Sequence, residues 1–192
     1  MSGIKMNFKK IWRFIWHDDS LLSWTINVIL AFILVKFIIY PGLGLIFQTT
    51  HPVVAVVSSS MEHKESFDEW WENSEACYID YEIIKENFQD YKMKNGFNKG
   101  DIIFLKGAKT INQGDIVVFR GNSNNPIIHR IVKIYDSYYQ TKGDNYQTNC
   151  QSYPQLGETK IEKRNMIGKA FFKIPYLGWV KIAFTELTNI FL

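Results

Sequence analysis

The stretch PVVAVVSSSMEH, Pro52 to His63, sets three hydroxyls directly behind a run of apolar residues. In an extended strand side chains alternate faces, so Val54, Val56, Ser58 and Ser60 point one way and Val53, Ala55, Val57 and Ser59 the other. Two hydroxyls ~7 Å apart along one face suit a nucleophile and a donor to the oxyanion that its attack creates. The plainer reading of a serine cluster is a loop entry, where hydroxyls bond the local backbone. A serine becomes a competent nucleophile only beside a base. His17 lies on the far side of a long apolar segment, His51 and His63 flank the serines, and His129 sits inside the apolar run PIIHRIVKI. Imidazole has no packing advantage over Val or Leu there, so His129 is either a hydrogen-bonded core residue or the base. A carboxylate would orient that base, and Asp136 and Asp144 both follow it without spacing choosing between them. Cys77 and Cys150 fit no metal-ligand spacing; they can pair if the domain lies in an oxidising compartment.

These residues need elements to hold them. Leu21 to Tyr40 carries one charged residue, Lys36, and as a helix spans about 30 Å, the thickness of a bilayer core. It is longer than a signal-peptide apolar region and runs through Pro41-Gly42 into more apolar sequence, which predicts a permanent anchor over 21–47. Lys5, Lys9, Lys10 and Arg13 precede it, whereas no Lys or Arg occurs from Pro41 to Ser60. The positive-inside rule then places 1–20 in the cytoplasm and a domain over 48–175 outside. A net charge of +3 without a basic run excludes a nucleic-acid partner.

Beyond the anchor, DIIFLKG, DIVVFRG, PIIHRIVKIYD, SYYQTKGD and MIGKAFFKI read as short strands separated by Gly, Asn and Asp, a mainly β and antiparallel domain. The recurring Gly-Asp pairs are strand-entry turns. An interruption over about 64–98 is charged and largely free of glycine. Ser66 with Glu69 predicts a capping box and Asp80 a second start, hence an inserted helical pair. The tail over 176–192 is apolar but too short to span, which predicts an interfacial helix.

In order along the chain, PVVAVVSSSMEH, GDIVVF, IIHRIVKI, TKGDN and IGKAFFKIPYLG resemble the boxes of signal peptidase I in its archaeal and endoplasmic-reticulum form, which uses His where the bacterial form has a catalytic Lys. The resemblance implies a mainly β catalytic domain of signal-peptidase type, with an N-terminal transmembrane helix and the helical pair inserted. It makes Ser60 the nucleophile, Ser58 an oxyanion donor, His129 the base and Asp144 the acidic partner. It also implies a serine endopeptidase that removes signal peptides from secreted or membrane preproteins after a small-x-small motif, in the cell or endoplasmic-reticulum membrane, without a metal or cofactor. Val54, Val56, Met61 and Ile127 are the candidate pocket residues. Departures stand beside it: Ser59 and His63 replace the family's Gly and Pro, and Cys150 stands six residues past Asp144 where a second Asp is usual, with no acid before Glu158. The rival readings are a β domain without catalysis that binds peptides or partner subunits, and a self-cleaving regulator, which would need a lysine base.

Overall fold

The computed structural model of the chain describes residues 8–179 and Ile182. It divides into two compact units, Met1–Ile46 and Phe47–Leu192. In the first, a helix over Phe8–His17 breaks at Asp18-Asp19, and Ser20 caps the next by accepting from Ser23 N–H at 3.2 Å. Ser23 Oγ and Asn27 Nδ2 donate back to the Phe14 and Ile15 carbonyls, tying the two helices together. The second helix runs over Leu21–Phe47, 27 residues with a mean hydropathy of 2.3 in its most apolar window, long and apolar enough to cross a membrane. It passes Pro41 unbroken. Pro has no N–H and clashes with the carbonyl four residues back, and the helix widens to a π turn over Val35–Ile39 just before it.

The second unit is built on one seven-stranded antiparallel sheet in the order β1-β2-β7-β3-β4-β5-β6. Its strands are β1 (Val53–Ala55), β2 (Ile102–Lys106), β3 (Ile116–Phe119), β4 (Ile127–Ile134), β5 (Tyr138–Lys142), β6 (Ile161–Glu162) and β7 (Met166–Ile174). The five strands expected from β2 onward are all present, and β6 is too short to leave a sequence pattern. Two of the Gly-Asp turns share one chemistry. The Asp101 and Asp115 carboxylates accept from the Asn98 and Asn112 N–H groups, and Gly100 and Gly114 take φ values of +93° and +87°, where an L side chain would be strained. Bulges in the pairings of β2, β3 and β4 bend the sheet around its core of Val56, Met61, Phe97, Ile103 and Leu105.

The insert is helical, with a different second half from the one expected. Ser66 and Glu69 form the capping box at the head of Phe67–Ser74. Two 3-10 turns, Glu75–Cys77 and Ile79–Tyr81, then precede a short helix over Lys85–Gln89. No helix starts at Asp80, because Glu82 enters the left-handed region at φ +58° and turns Ile83 into the core. Trp70, Trp71, Tyr78 and Phe88 pack with Val132 of β4, so the insert covers one face of the sheet. A Cys77–Cys150 disulfide ties it to the segment following β5. Apart from Ile182, the expected tail helix lies outside the described residues past Trp179.

Candidate active site

β1 ends at Ala55, so the serines are not extended as the alternation argument supposed. After Val56, whose N–H donates to the Asp101 carbonyl, the chain leaves the sheet and turns, with Glu62 N–H bonded to Ser59 O. The turn brings Ser58 Oγ and Ser60 Oγ to 3.2 Å, much closer than strand geometry allows. The segment Gly143–Asn145 grips it: Asn145 N–H donates to Ser60 O at 2.9 Å and Asn145 Nδ2 to Ser59 O at 3.0 Å. A Cβ on Gly143 would stand 2.5 Å from Ser60 O, so only glycine permits this approach.

His129, on β4 opposite Val117 of β3, presents Nε2 to Ser60 Oγ at 2.9 Å. Its other nitrogen, Nδ1, is bonded to Oε1 of Glu158, and both side chains are buried. Glu158 is held on three sides. Its Oε2 accepts from Tyr153 N–H, its backbone carbonyl accepts from Thr141 N–H of β5, and its own N–H reaches Tyr153 O. A 3-10 turn over Pro154–Leu156 and a left-handed Gly157 bend the chain back to make this possible. Ser60, His129 and Glu158 thus lie in one hydrogen-bonded line, an arrangement in which a hydroxyl can pass its proton to an imidazole steadied by a carboxylate.

The serine and histidine open onto a cleft of about 400 Å³ between the end of β1 and the start of β4. Of the candidate pocket residues, Val56 and Ile127 line it, together with Val57, Pro126, Asn149 and Leu156. Val54 and Met61 do not: Val54 packs against the core, and Met61 is fully buried with its sulfur accepting from Asp144 N–H. Among the described residues no group of three or more His, Cys, Asp and Glu side chains is placed to hold a metal ion.

Residues 87–171, from the insert through most of β7, match the family described as Peptidase S24-like. The signal peptidase complex catalytic subunit SEC11C of Homo sapiens is 32% identical over 102 residues, 49% of this chain and 53% of that protein, and the Mus musculus subunit matches equally. The catalytic subunit SEC11 of Colletotrichum graminicola is 25% identical over 158 residues, 78% of this chain and 73% of that protein. The chain is thus similar to the Peptidase S24-like family over its β domain and to catalytic subunits of the signal peptidase complex. It spans about half the length of the SEC11C relatives it matches.

Within this fold, the expectation that Asp144 orients His129 does not hold geometrically. Successive residues of β4 face opposite sides of the sheet, so His129 points toward Ser60 while Arg130 points toward the insert. Asp144 belongs to the Arg130 side. Arg130 Nη2 reaches its Oδ2 at 2.5 Å, Arg130 Nε approaches both oxygens at 3.0 Å, and Tyr78 OH donates to Oδ1 at 2.9 Å. Burial pushes this carboxyl up, but the Arg130 charge and its hydrogen bonds outweigh that and hold it well below the usual carboxylate range. His63 is in this second cluster too, stacked on Trp70 at 3.7 Å with Nε2 3.5 Å from Asp144 Oδ2, and therefore does not compete for Ser60. Lys142 completes it. Burial pushes its ammonium down to about 7, and its Nζ sits 3.7 Å over the Tyr78 ring while donating to Gly143 O. The Gly-Asp-Asn box therefore positions the turn carrying Ser60, and the carboxylate bonded to His129 comes from beyond it. The available sequence signal was that Glu158 is the first acid after that box and follows a Pro and a Gly suited to a tight return.

Proposed function

We propose that the chain is a membrane-anchored serine endopeptidase that removes signal peptides from exported preproteins after a small-x-small motif. One observation carries the reading: Ser60 Oγ lies 2.9 Å from His129 Nε2, Glu158 is bonded to Nδ1, and this line opens onto the cleft. Ser60 Oγ attacks the scissile carbonyl as His129 Nε2 takes its proton. The C–N bond then breaks, the amine leaves with that proton, and water hydrolyses the acyl-serine ester with His129 again as base. Glu158 keeps the Nδ1 proton in place and stabilises the imidazolium as it forms. The oxyanion receives the Ser58 hydroxyl and the Ser60 backbone N–H, which has no acceptor among the described residues.

Supporting the substrate class, the human and fungal relatives are named as catalytic subunits of the signal peptidase complex. That naming also favours partner subunits. β1 is an edge strand beside the cleft, where an extended peptide can add by backbone hydrogen bonds. Val56 and Ile127 narrow the cleft against bulky side chains. The helix over Leu21–Phe47 is the single-pass anchor, with 1–20 cytoplasmic and the β domain on the far side of a cell or endoplasmic-reticulum membrane. Cleavage of a reporter preprotein in lipid tests the reading: wild type cuts, while Ser60→Ala and His129→Ala abolish turnover. A wild type that cuts nothing where a known signal peptidase does would leave a peptide-binding domain instead.

A further inference from the structure

Asn149 has a polar group that no internal contact uses. The residue is 6% exposed and ends the one-turn helix over Tyr146–Asn149. Its Oδ1 accepts from Thr148 Oγ1 at 2.9 Å and its N–H donates to Asn145 O, but its Nδ2 has no acceptor among the described residues. The nitrogen is not fully closed off from solvent, so an acceptor carried by a ligand in the cleft can reach it. The residue lines the cleft with Ser58, Ser60 and His129. A Cβ placed on Gly143 would meet both the Ser60 carbonyl and the Asn149 amide carbon, so the amide and the nucleophile's turn flank the same point.

Its position is also fixed from both ends. Before it, Asn145 caps the short helix and bonds the carbonyls of Ser59 and Ser60. After it, Cys150 is bonded to Cys77 of the insert. A side chain held this way loses little freedom when it binds, the condition under which one hydrogen bond contributes its full strength. The bond is available to an extended peptide, which presents a main-chain carbonyl at every residue. The oxyanion is already served by Ser58 Oγ and Ser60 N–H, so this third donor is free for the ground-state chain.

We infer that Asn149 is a substrate-contacting residue, its Nδ2 donating to a main-chain carbonyl of the peptide in the cleft. The inference rests on the peptidase reading. The test uses the full chain in lipid, with steady-state cleavage of a reporter preprotein by Asn149→Ala and by Asn149→Leu, which restores bulk without a donor. Peptide titration in a Ser60→Ala background and thermal melting accompany it. We expect KM and the peptide Kd to rise roughly five- to tenfold in both variants, with kcat within twofold of wild type and unchanged melting. An unchanged KM overturns the inference, as does a loss confined to kcat, which would assign the amide to the transition state. A loss in Leu but not in Ala also overturns it, because obstruction rather than a lost donor would be the cause. If wild type cuts nothing, the peptidase reading fails by itself. The titration then still decides, and an unchanged Kd in Asn149→Ala sinks the inference.

Discussion

Replacing Glu158 by Gln separates the two carboxylates of this domain more sharply than any other change. The amide keeps the size of the acid, but its two ends are no longer equivalent. Tyr153 N–H donates to Oε2, so the Gln carbonyl must occupy that side and the NH2 must face His129 Nδ1. An NH2 donor there forces Nδ1 to accept, which moves the imidazole proton to Nε2, the atom that must receive the Ser60 proton. The charge is lost as well. A unit pair at about 3 Å and an effective dielectric of about 20 is worth about 5 to 6 kcal/mol, or roughly 10⁴ in rate, which agrees with the ~10⁴-fold loss seen when a triad acid is amidated. We expect kcat for a reporter preprotein to fall about 10³- to 10⁴-fold in Glu158→Gln while circular dichroism and melting stay near wild type. Single-turnover cleavage in lipid, with folded enzyme quantified independently, measures it. A folded Glu158→Gln within tenfold of wild-type kcat would refute the reasoning, and so would Asp144→Asn losing more kcat at equal folded fraction.

The Arg130 cluster should respond in stability. Asp144→Asn leaves a fully buried guanidinium without its counter-charge, and denaturant titration should show a loss of about 3–5 kcal/mol. Lys142 gives a pH signature. Its folded value of about 7 lies below the unfolded 10.5, so the unfolded state binds more protons between them. Its destabilising effect is full below about pH 7 and fades as pH rises toward 10.5. The stability of wild type relative to Lys142→Met should therefore climb by about 3.5 kcal/mol from pH 7 to 10; a flat difference would contradict the burial argument. Cys77→Ser removes a crosslink between residues separated by 73 positions, which should cost about 4 kcal/mol of stability by melting in the oxidised state. Ser58→Ala should lower kcat about 10²- to 10³-fold with KM little changed.

The sequence by itself determined the elements whose signals are local. The apolar run from Leu21, the Ser66-Glu69 capping box, the Asn-x-Gly-Asp turns and the strands from β2 to β7 that exceed two residues all arise from side-chain periodicity and bonds between residues three or four apart. The pairing of Ser60 with a histidine in an apolar run could be suggested, since an imidazole inside a strand calls for a partner. Which partner it has was a tertiary matter. The sheet's alternation sends His129 and Arg130 to opposite faces, so the Gly-Asp-Asn carboxylate is drawn to the guanidinium. The return through Pro154 and Gly157 delivers Glu158 to the imidazole, 29 residues from it along the chain. The hydroxyl pair changed meaning for the same reason. Strand spacing would keep Ser58 and Ser60 apart, and only the turn closed by Ser59 and Glu62, pressed against Gly143 and Asn145 from a distant strand end, brings the oxygens together. Local chemistry names the residue types, but which charges neutralise each other in a dry interior depends on which face each side chain occupies, and that is settled only when the sheet closes.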